Sequence, residues 1–305
     1  MLCCNKTNQA FIMKPLFYPV AITVLTGLLL SCNHSSKNSR ITIHDQGVNI
    51  AYTDTGKSDT TLLFVHGWCI NKTYWTSQAA YLGKRYRVVA IDLPGFGESG
   101  KNRKDWSTKA FSRDADSVIS QLKLKKVILI GHSMASVIAL QAAVDNPAQV
   151  IGLVVVDIFK NVGKDQLQSE QAKKEYANAI DSLKHHFKKI AFEYFNQDLF
   201  YKTTTDAVKK RVLNDVAHVD TTIAAACMEQ GDFNELDKLK KMKTKLYLIN
   251  SDVKPTDTTQ LAANKIPFKL LYIHATGHFP MIEKPEEFNR LLDEAIGDIK
   301  RSPKI

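Results

Sequence analysis

Short, nearly continuous apolar runs, separated by stretches of helical periodicity, constrain the fold of this chain more than any other feature. Four such runs lie within residues 61–67, 86–95, 126–133 and 150–159. Runs of this kind are typical of strands that are buried on both faces. Strands that alternate with helices predict an α/β protein, in which a mostly parallel sheet is covered by helices on both sides.

A helical block interrupts this alternation late in the chain. Two alternating stretches after residue 41 predict an antiparallel hairpin, and the strand–helix pattern resumes after the block, which predicts eight strands in all. Within residues 160–240, lysine-rich amphipathic helices replace the strands. We therefore expect an α/β core built from residues 41–159 and 241–305, with residues 160–240 inserted as a helical cap or lid.

The N-terminal residues have the composition of an export signal. Lys14 precedes an uncharged apolar stretch that ends in the letters LLSC, and this order is typical of secretory signals. The four letters resemble a bacterial lipobox, in which Cys32 would be lipidated. We predict a lipoprotein-type signal peptide at residues 1–31, with Met13 as the natural start, and a tether at residues 32–40. The chain would then be an exported lipoprotein, membrane-anchored in the bacterial cell envelope; an uncleaved anchor helix or a plain signal peptide would be alternatives.

The distribution of charge along the chain argues against nucleic acid as a partner. The formal net charge is +10, yet the lysines are dispersed and form no stripe with aromatic residues between them. A nucleic-acid-binding face is therefore not expected. A solvated basic surface, or attraction to anionic membranes, accounts for the charge better.

Polar residues follow the predicted parallel strands at the points where the strands end. They are His66, Asp92, Ser133, Asp157, Asp252 and His278. In an open α/β sheet, ligands bind beyond the carboxyl ends of the strands. We therefore expect a serine, two histidines and several aspartates to converge at one edge of the sheet.

Ser133 lies where a strand must turn sharply into a helix. Such a turn exposes the hydroxyl and directs the helix N-terminus at developing negative charge. The close approach of backbone at the turn requires small neighbours, which accounts for Gly131 and Ala135. Taken alone, the pattern fits a helix-capping serine equally well.

Further motifs identify the family that the chain resembles. They read HGW at residues 66–68, DLPGFGES at 92–99, GHSM at 131–134 and GHF at 277–279. In this order, they resemble the α/β-hydrolase fold superfamily, and in particular its serine esterases with a helical cap. The resemblance extends over residues 45–300.

The resemblance implies a role for each matching residue. Ser133 would be the nucleophile and His278 the general base, while the backbone N–H groups of Trp68 and Met134 would form an oxyanion hole. No metal or cofactor would be required. Acyl transfer through a serine ester would make the protein a carboxylesterase for a small or medium ester. A non-catalytic, membrane-tethered ligand-binding homologue is an alternative, as is a lactonase, amidase, C–C hydrolase or cofactor-free peroxidase on the same fold.

Two aspartates compete for the acid that orients the histidine. Superfamily members usually supply it after the seventh strand in a Gly-x-x-Asp pattern, whereas here Asn250 replaces the glycine and Asp252 comes one position early. A minority place the acid after the sixth strand, where this chain has Asp157. We expect Asp252 to be the acid, with Asp157 as the alternative. Ala135, where the family usually has glycine, is expected to shift the turn slightly without breaking it.

Overall fold

The computed structural model describes residues 39–43, 47–164, 169–229 and 233–301. The predicted signal peptide, Cys32 and most of the predicted tether lie outside the described residues. Within the described ranges, no helix has the length and apolar character needed to cross a membrane.

Eight strands form one sheet in the order β1-β2-β4-β3-β5-β6-β7-β8. β1 and β2 pair antiparallel, β2 pairs antiparallel with β4, and all other pairs are parallel. The predicted α/β class and the opening hairpin are therefore confirmed. The strands are β1 (Ser39–Ile43), β2 (Val48–Thr55), β3 (Thr60–Val65), β4 (Arg87–Ile91), β5 (Lys126–His132), β6 (Val150–Val156), β7 (Leu246–Ser251) and β8 (Phe268–Ile273).

Helices of the core cover this sheet, and a helical segment is inserted between β6 and β7. The core helices are α1 (Thr76–Leu82), α2 (Thr108–Gln121), α3 (Met134–Asp145), α9 (Thr259–Ala263), α10 (Pro280–Glu283) and α11 (Pro285–Arg301). The inserted helices are α4 (Glu170–His185), α5 (Phe187–Tyr194), α6 (Asp206–His218), α7 (Thr221–Met228) and α8 (Glu235–Lys241). A π-helical turn, Phe195–Leu199, follows α5 directly.

The apolar composition of β3 and β5 accounts for their position in the middle of the sheet, where both faces are covered. Every residue of β3 is buried, as is every residue of β5 after its first. α11 covers one side through an apolar face that includes Phe288, Leu292 and Ile296. The helix lies so close to β6 that a Cβ atom on Gly152 would stand 2.6 Å from Ile299. The sheet is therefore rigid where its strands deliver the polar side chains that follow them.

Candidate active site

Ser133 lies at a strained turn between β5 and α3. Its φ is 51° and its ψ is −124°, a backbone conformation that a residue with a side chain rarely adopts. The Ser133 side chain makes no capping hydrogen bond to α3. The helix-cap interpretation is therefore wrong, and Ser133 lines two cavities at the sheet edge. Strain of this kind persists where the surrounding structure fixes it, commonly at functional sites.

Small residues allow this turn to pack. A Cβ atom on Gly131 would lie 2.7 Å from the Ala135 carbonyl oxygen, so only glycine fits beneath the start of α3. The Ser136 hydroxyl donates a hydrogen bond of 2.8 Å to the Gly131 carbonyl, which ties the helix to the strand. Ala135 itself is fully buried, so its methyl group packs within the turn.

His278 is hydrogen-bonded to Asp157. The imidazole Nδ1–H donates to Asp157 Oδ2 over 2.6 Å, although the two residues are 121 positions apart. Because a carboxylate can only accept, this bond places the proton on Nδ1 and leaves Nε2 of the neutral ring as a base. His278 lines the same two cavities as Ser133.

The Asp157 carboxylate has two further partners besides His278. The Ser251 N–H donates to its Oδ1 over 2.9 Å, and the Lys160 ammonium lies 2.8 Å from the same oxygen. Burial alone would raise the pKa of Asp157, but the His278 hydrogen bond and the charges of His278 and Lys160 hold that pKa well below its usual range. The carboxylate is therefore ionised at neutral pH.

This geometry corrects the expectation that Asp252 is the acid partner of the histidine. Asp252 accepts a hydrogen bond from His274 Nδ1 over 2.7 Å, and both side chains are exposed, at 40% and 67%. The pKa of Asp252 is lowered chiefly by this bond. The reason is topological: the last residue of β7, Ser251, turns its N–H toward Asp157, and the chain then continues outward to solvent.

Two residues near Asp157, Lys160 and Asn250, join the loop after β6 to β7, a role that their sequence positions did not predict. Lys160 joins Asp157 to the end of β7 through weak hydrogen bonds to Ser251 of 3.3 and 3.4 Å. Asn250 accepts from the Ile158 N–H over 3.2 Å and donates to the Ile158 carbonyl over 2.9 Å. Asn250 occupies the position where the family usually has glycine. This departure from the usual pattern was a sequence signal for the hydrogen bonds that Asn250 makes to the loop after β6.

Two further predicted residues, Trp68 and Met134, line the smaller cavity together with Ser133, whereas His66 and Asp92 line neither cavity. The Trp68 indole N–H donates to the Ala224 carbonyl of α7 over 2.8 Å. Behind this loop, a Cβ atom on Gly67 would lie 2.6 Å from His132 Nδ1. The loop after β3 is therefore held between the strand end and the inserted helices.

Two cavities meet at Ser133 and His278. The smaller has a volume of about 320 Å³ and is mainly apolar, since Trp68, Met134, Phe195, Cys227 and Met228 line it. The larger has a volume of about 650 Å³ and includes charged residues on its walls, among them Lys160, Asp198 and Lys254. Such a pair of chambers can hold the two arms of a molecule whose reacting bond lies between them.

The inserted helices supply aromatic side chains to these cavities. Phe195 lines the smaller one, Phe200 the larger one and Tyr194 both. Phe187 instead packs edge-on against Trp68, with ring centroids 5.7 Å apart. The inserted segment therefore forms part of the wall around Ser133, while some of its aromatic residues serve only its own packing.

Known proteins share this fold and its sequence pattern. Residues 62–291 match the profile of the "Alpha/beta hydrolase family". An uncharacterized protein of Mycobacterium tuberculosis is 35% identical over 115 residues, which are 38% of this chain and 33% of that protein. The chain thus spans about a third of the length of that relative.

Two further proteins are similar over most of their length. The pimeloyl-[acyl-carrier protein] methyl ester esterase of Legionella pneumophila is 25% identical over 82% of this chain and 100% of that protein. The structure of a thermophilic esterase from Thermogutta terrifontis superimposes with a TM-score of 0.73 at 21% identity, covering 86% of this chain and 99% of that one. The profile match extends over most of the chain and includes both the strained serine turn and the histidine loop. The chain belongs to the alpha/beta hydrolase family.

Proposed function

We propose that the protein is a serine carboxylesterase in which Ser133, His278 and Asp157 form the catalytic triad. The observation that carries this proposal is the hydrogen bond of 2.6 Å from His278 Nδ1 to Asp157 Oδ2. It fixes the imidazole tautomer whose Nε2 can accept a proton from a serine hydroxyl. The strained turn at Ser133, whose φ is 51°, supports the assignment of the nucleophile.

The proposed reaction proceeds in two acyl-transfer steps. The Ser133 oxygen attacks the ester carbonyl while its proton passes to His278 Nε2, and the N–H groups of Trp68 and Met134 stabilise the oxyanion. Collapse of the tetrahedral intermediate breaks the bond to the alcohol, which takes that proton from His278. Water then attacks the acyl-serine with His278 again as base, which releases the carboxylic acid and restores Ser133. Asp157 stabilises the imidazolium formed in each step.

The size and lining of the cavities support a small or medium ester as substrate. The smaller cavity, of about 320 Å³, presents apolar side chains to one arm of the ester. The larger cavity, of about 650 Å³, presents mixed polar and apolar residues to the other. Substrates with long acyl chains would extend beyond the smaller chamber.

Replacement of the proposed nucleophile tests the esterase activity. We expect wild-type protein to hydrolyse p-nitrophenyl esters of short and medium acyl chains faster than long ones. Ser133→Ala should lower kcat by at least about 10⁴-fold, since no other group forms the acyl intermediate. Ser136→Ala is the matched control: its hydroxyl is bound to the Gly131 carbonyl and is not a nucleophile, so this variant loses one structural hydrogen bond and should keep most of the wild-type turnover. Hydrolysis that survives Ser133→Ala would refute the assignment, and saturable ester binding without turnover by the wild type would favour a binding protein.

Two isosteric substitutions distinguish the acids. We expect Asp157→Asn to lower kcat by roughly 10³–10⁴-fold, because an amide favours the wrong imidazole tautomer and leaves the imidazolium unpaired. Asp252→Asn should change kcat by less than about twofold, since Asp252 pairs with the exposed His274. Steady-state kinetics of both variants, with thermal unfolding to verify folding, provides the measurement. A large loss in Asp252→Asn alone would contradict the triad proposed here.

We also propose that the protein is an exported lipoprotein held on a membrane of the cell envelope through Cys32. The proposal is supported by the sequence alone: Lys14, the apolar stretch after it, and the letters LLSC. These residues lie outside those that the structure describes. Two acyl chains on one cysteine would provide stable anchoring, whereas a single chain gives only marginal binding.

Fractionation of cells that produce the full chain tests the anchor. Cys32→Ala should move the protein from the membrane fraction to the soluble fraction, because the site of lipidation is lost. Ser35→Ala is the control and should leave the protein membrane-bound, since it changes the predicted tether and keeps Cys32. Membrane retention of Cys32→Ala would rule out the lipid anchor.

A further inference from the structure

His278 lies on a loop between β8 and α10, and both of its backbone polar groups are bound by residues outside that loop. Its N–H donates to the Leu199 carbonyl of the inserted segment over 2.7 Å. Its carbonyl accepts a hydrogen bond of 2.7 Å from His132 Nε2, beside Ser133. The backbone that carries the imidazole is therefore fixed from two sides, one of which is the cap.

Glu283, the last residue of α10, binds the residues on either side of His278. The Gly277 N–H donates to its Oε2 over 3.1 Å, and the Phe279 N–H donates to its Oε1 over 3.2 Å. A single carboxylate thus holds the loop at two points. Charge-assisted hydrogen bonds to backbone donors are among the stronger ones in proteins.

The same carboxylate is bound by the cap. The Thr204 hydroxyl donates to Glu283 Oε2 over 2.6 Å and accepts from the Tyr201 N–H over 2.9 Å. Thr204 is only 6% exposed, so water does not readily replace these bonds. The hydroxyl therefore connects the backbone of the cap to the carboxylate that holds the histidine loop.

The backbone of the histidine loop and that of the cap at residues 199–201 pack so closely that no side chain fits between them. A Cβ atom on Gly277 would lie 2.4 Å from the Leu199 carbonyl oxygen and 2.8 Å from the Tyr201 nitrogen. Glycine at 277 is therefore required by the approach of the cap, at residues 199–204. Neither Thr204 nor Glu283 is among the described residues that line the two cavities, so neither is placed to touch a substrate.

We propose that Thr204 and Glu283 are positioning residues through which residues 199–204 of the cap hold His278 in its catalytic orientation. The proposal rests on the proposed esterase function. The cap then has two tasks, because it encloses the cavities and also fixes the base. Loss of the Thr204–Glu283 hydrogen bond would displace the imidazole, whereas both side chains lie outside the cavity walls that bind the ester. Such a displacement lowers kcat and leaves KM nearly unchanged.

Thr204→Val removes only the hydroxyl, and Thr204→Ser is its matched control. We expect Thr204→Val to lower kcat by about tenfold with KM within about twofold of wild type, since small misplacements of a catalytic group are costly. Thr204→Ser should restore at least half of the wild-type kcat. Glu283→Gln should lower kcat by a similar factor. Addition of Thr204→Val to Glu283→Gln should cause little further loss, because both substitutions break one connection.

A spectroscopic measurement provides a readout that does not depend on turnover. The proton on His278 Nδ1 should give a downfield ¹H resonance, assigned by its loss in Asp157→Asn. We expect this resonance to be broadened or shifted in Thr204→Val and to be wild-type in Thr204→Ser. An unchanged resonance and an unchanged kcat in Thr204→Val would overturn the proposal, as would a rise in KM with normal kcat.

The two proposals fail in different ways. If Ser133→Ala abolishes ester hydrolysis and Thr204→Val does not alter it, the esterase function stands and the positioning role is lost. If the wild type hydrolyses no ester, the downfield resonance still decides whether the cap holds His278.

Discussion

The hydrogen bond between His278 and Asp157 joins two distant parts of the chain, and the geometry of the site depends on it. Asp157 is only 7% exposed and His278 13%, so the carboxylate must find partners within the protein. An unpaired buried charge costs several kcal/mol. His278, Lys160 and the Ser251 N–H together satisfy this carboxylate. They also lock the loops after β6, β7 and β8 against one another.

Several non-glycine residues near the same groups have a positive φ, although others with a positive φ lie elsewhere. Cys69, Ser133 and Asp157 all have φ between 50° and 60°, although none of them is a glycine. Each follows or adjoins the end of a parallel strand that borders the cavities. Conformations of this kind persist only where surrounding packing fixes them. The buried central strands and the glycines at 67 and 131 provide that packing.

Strand periodicity, a local property, was sufficient for the fold and for placing Ser133 and His278 at strand ends, whereas the motifs GHSM and GHF were needed to single these two residues out. The carboxylate that pairs with His278 could not be identified from these patterns. Asp157 and Asp252 follow neighbouring parallel strands, so both come to the same edge of the sheet. The choice between them depends on the direction in which each loop leaves its strand. It also depends on His274, which pairs with Asp252 and lies 22 residues away in the chain. Neither factor can be predicted from a periodicity pattern. Only Asn250, at the position where the family usually has glycine, indicated a different arrangement.

The contacts of Thr204 and Glu283 with the histidine loop could not be predicted from the sequence either, since they form only when the inserted helical segment packs against that loop.

A crystal structure of the protein after reaction with a fluorophosphonate would test the central claim most directly. We predict phosphorus bonded to Ser133 Oγ, with the phosphoryl oxygen within about 3 Å of the N–H groups of Trp68 and Met134. His278 Nδ1 should remain hydrogen-bonded to Asp157. A histidine turned toward Asp252, or an adduct on a residue other than Ser133, would contradict it.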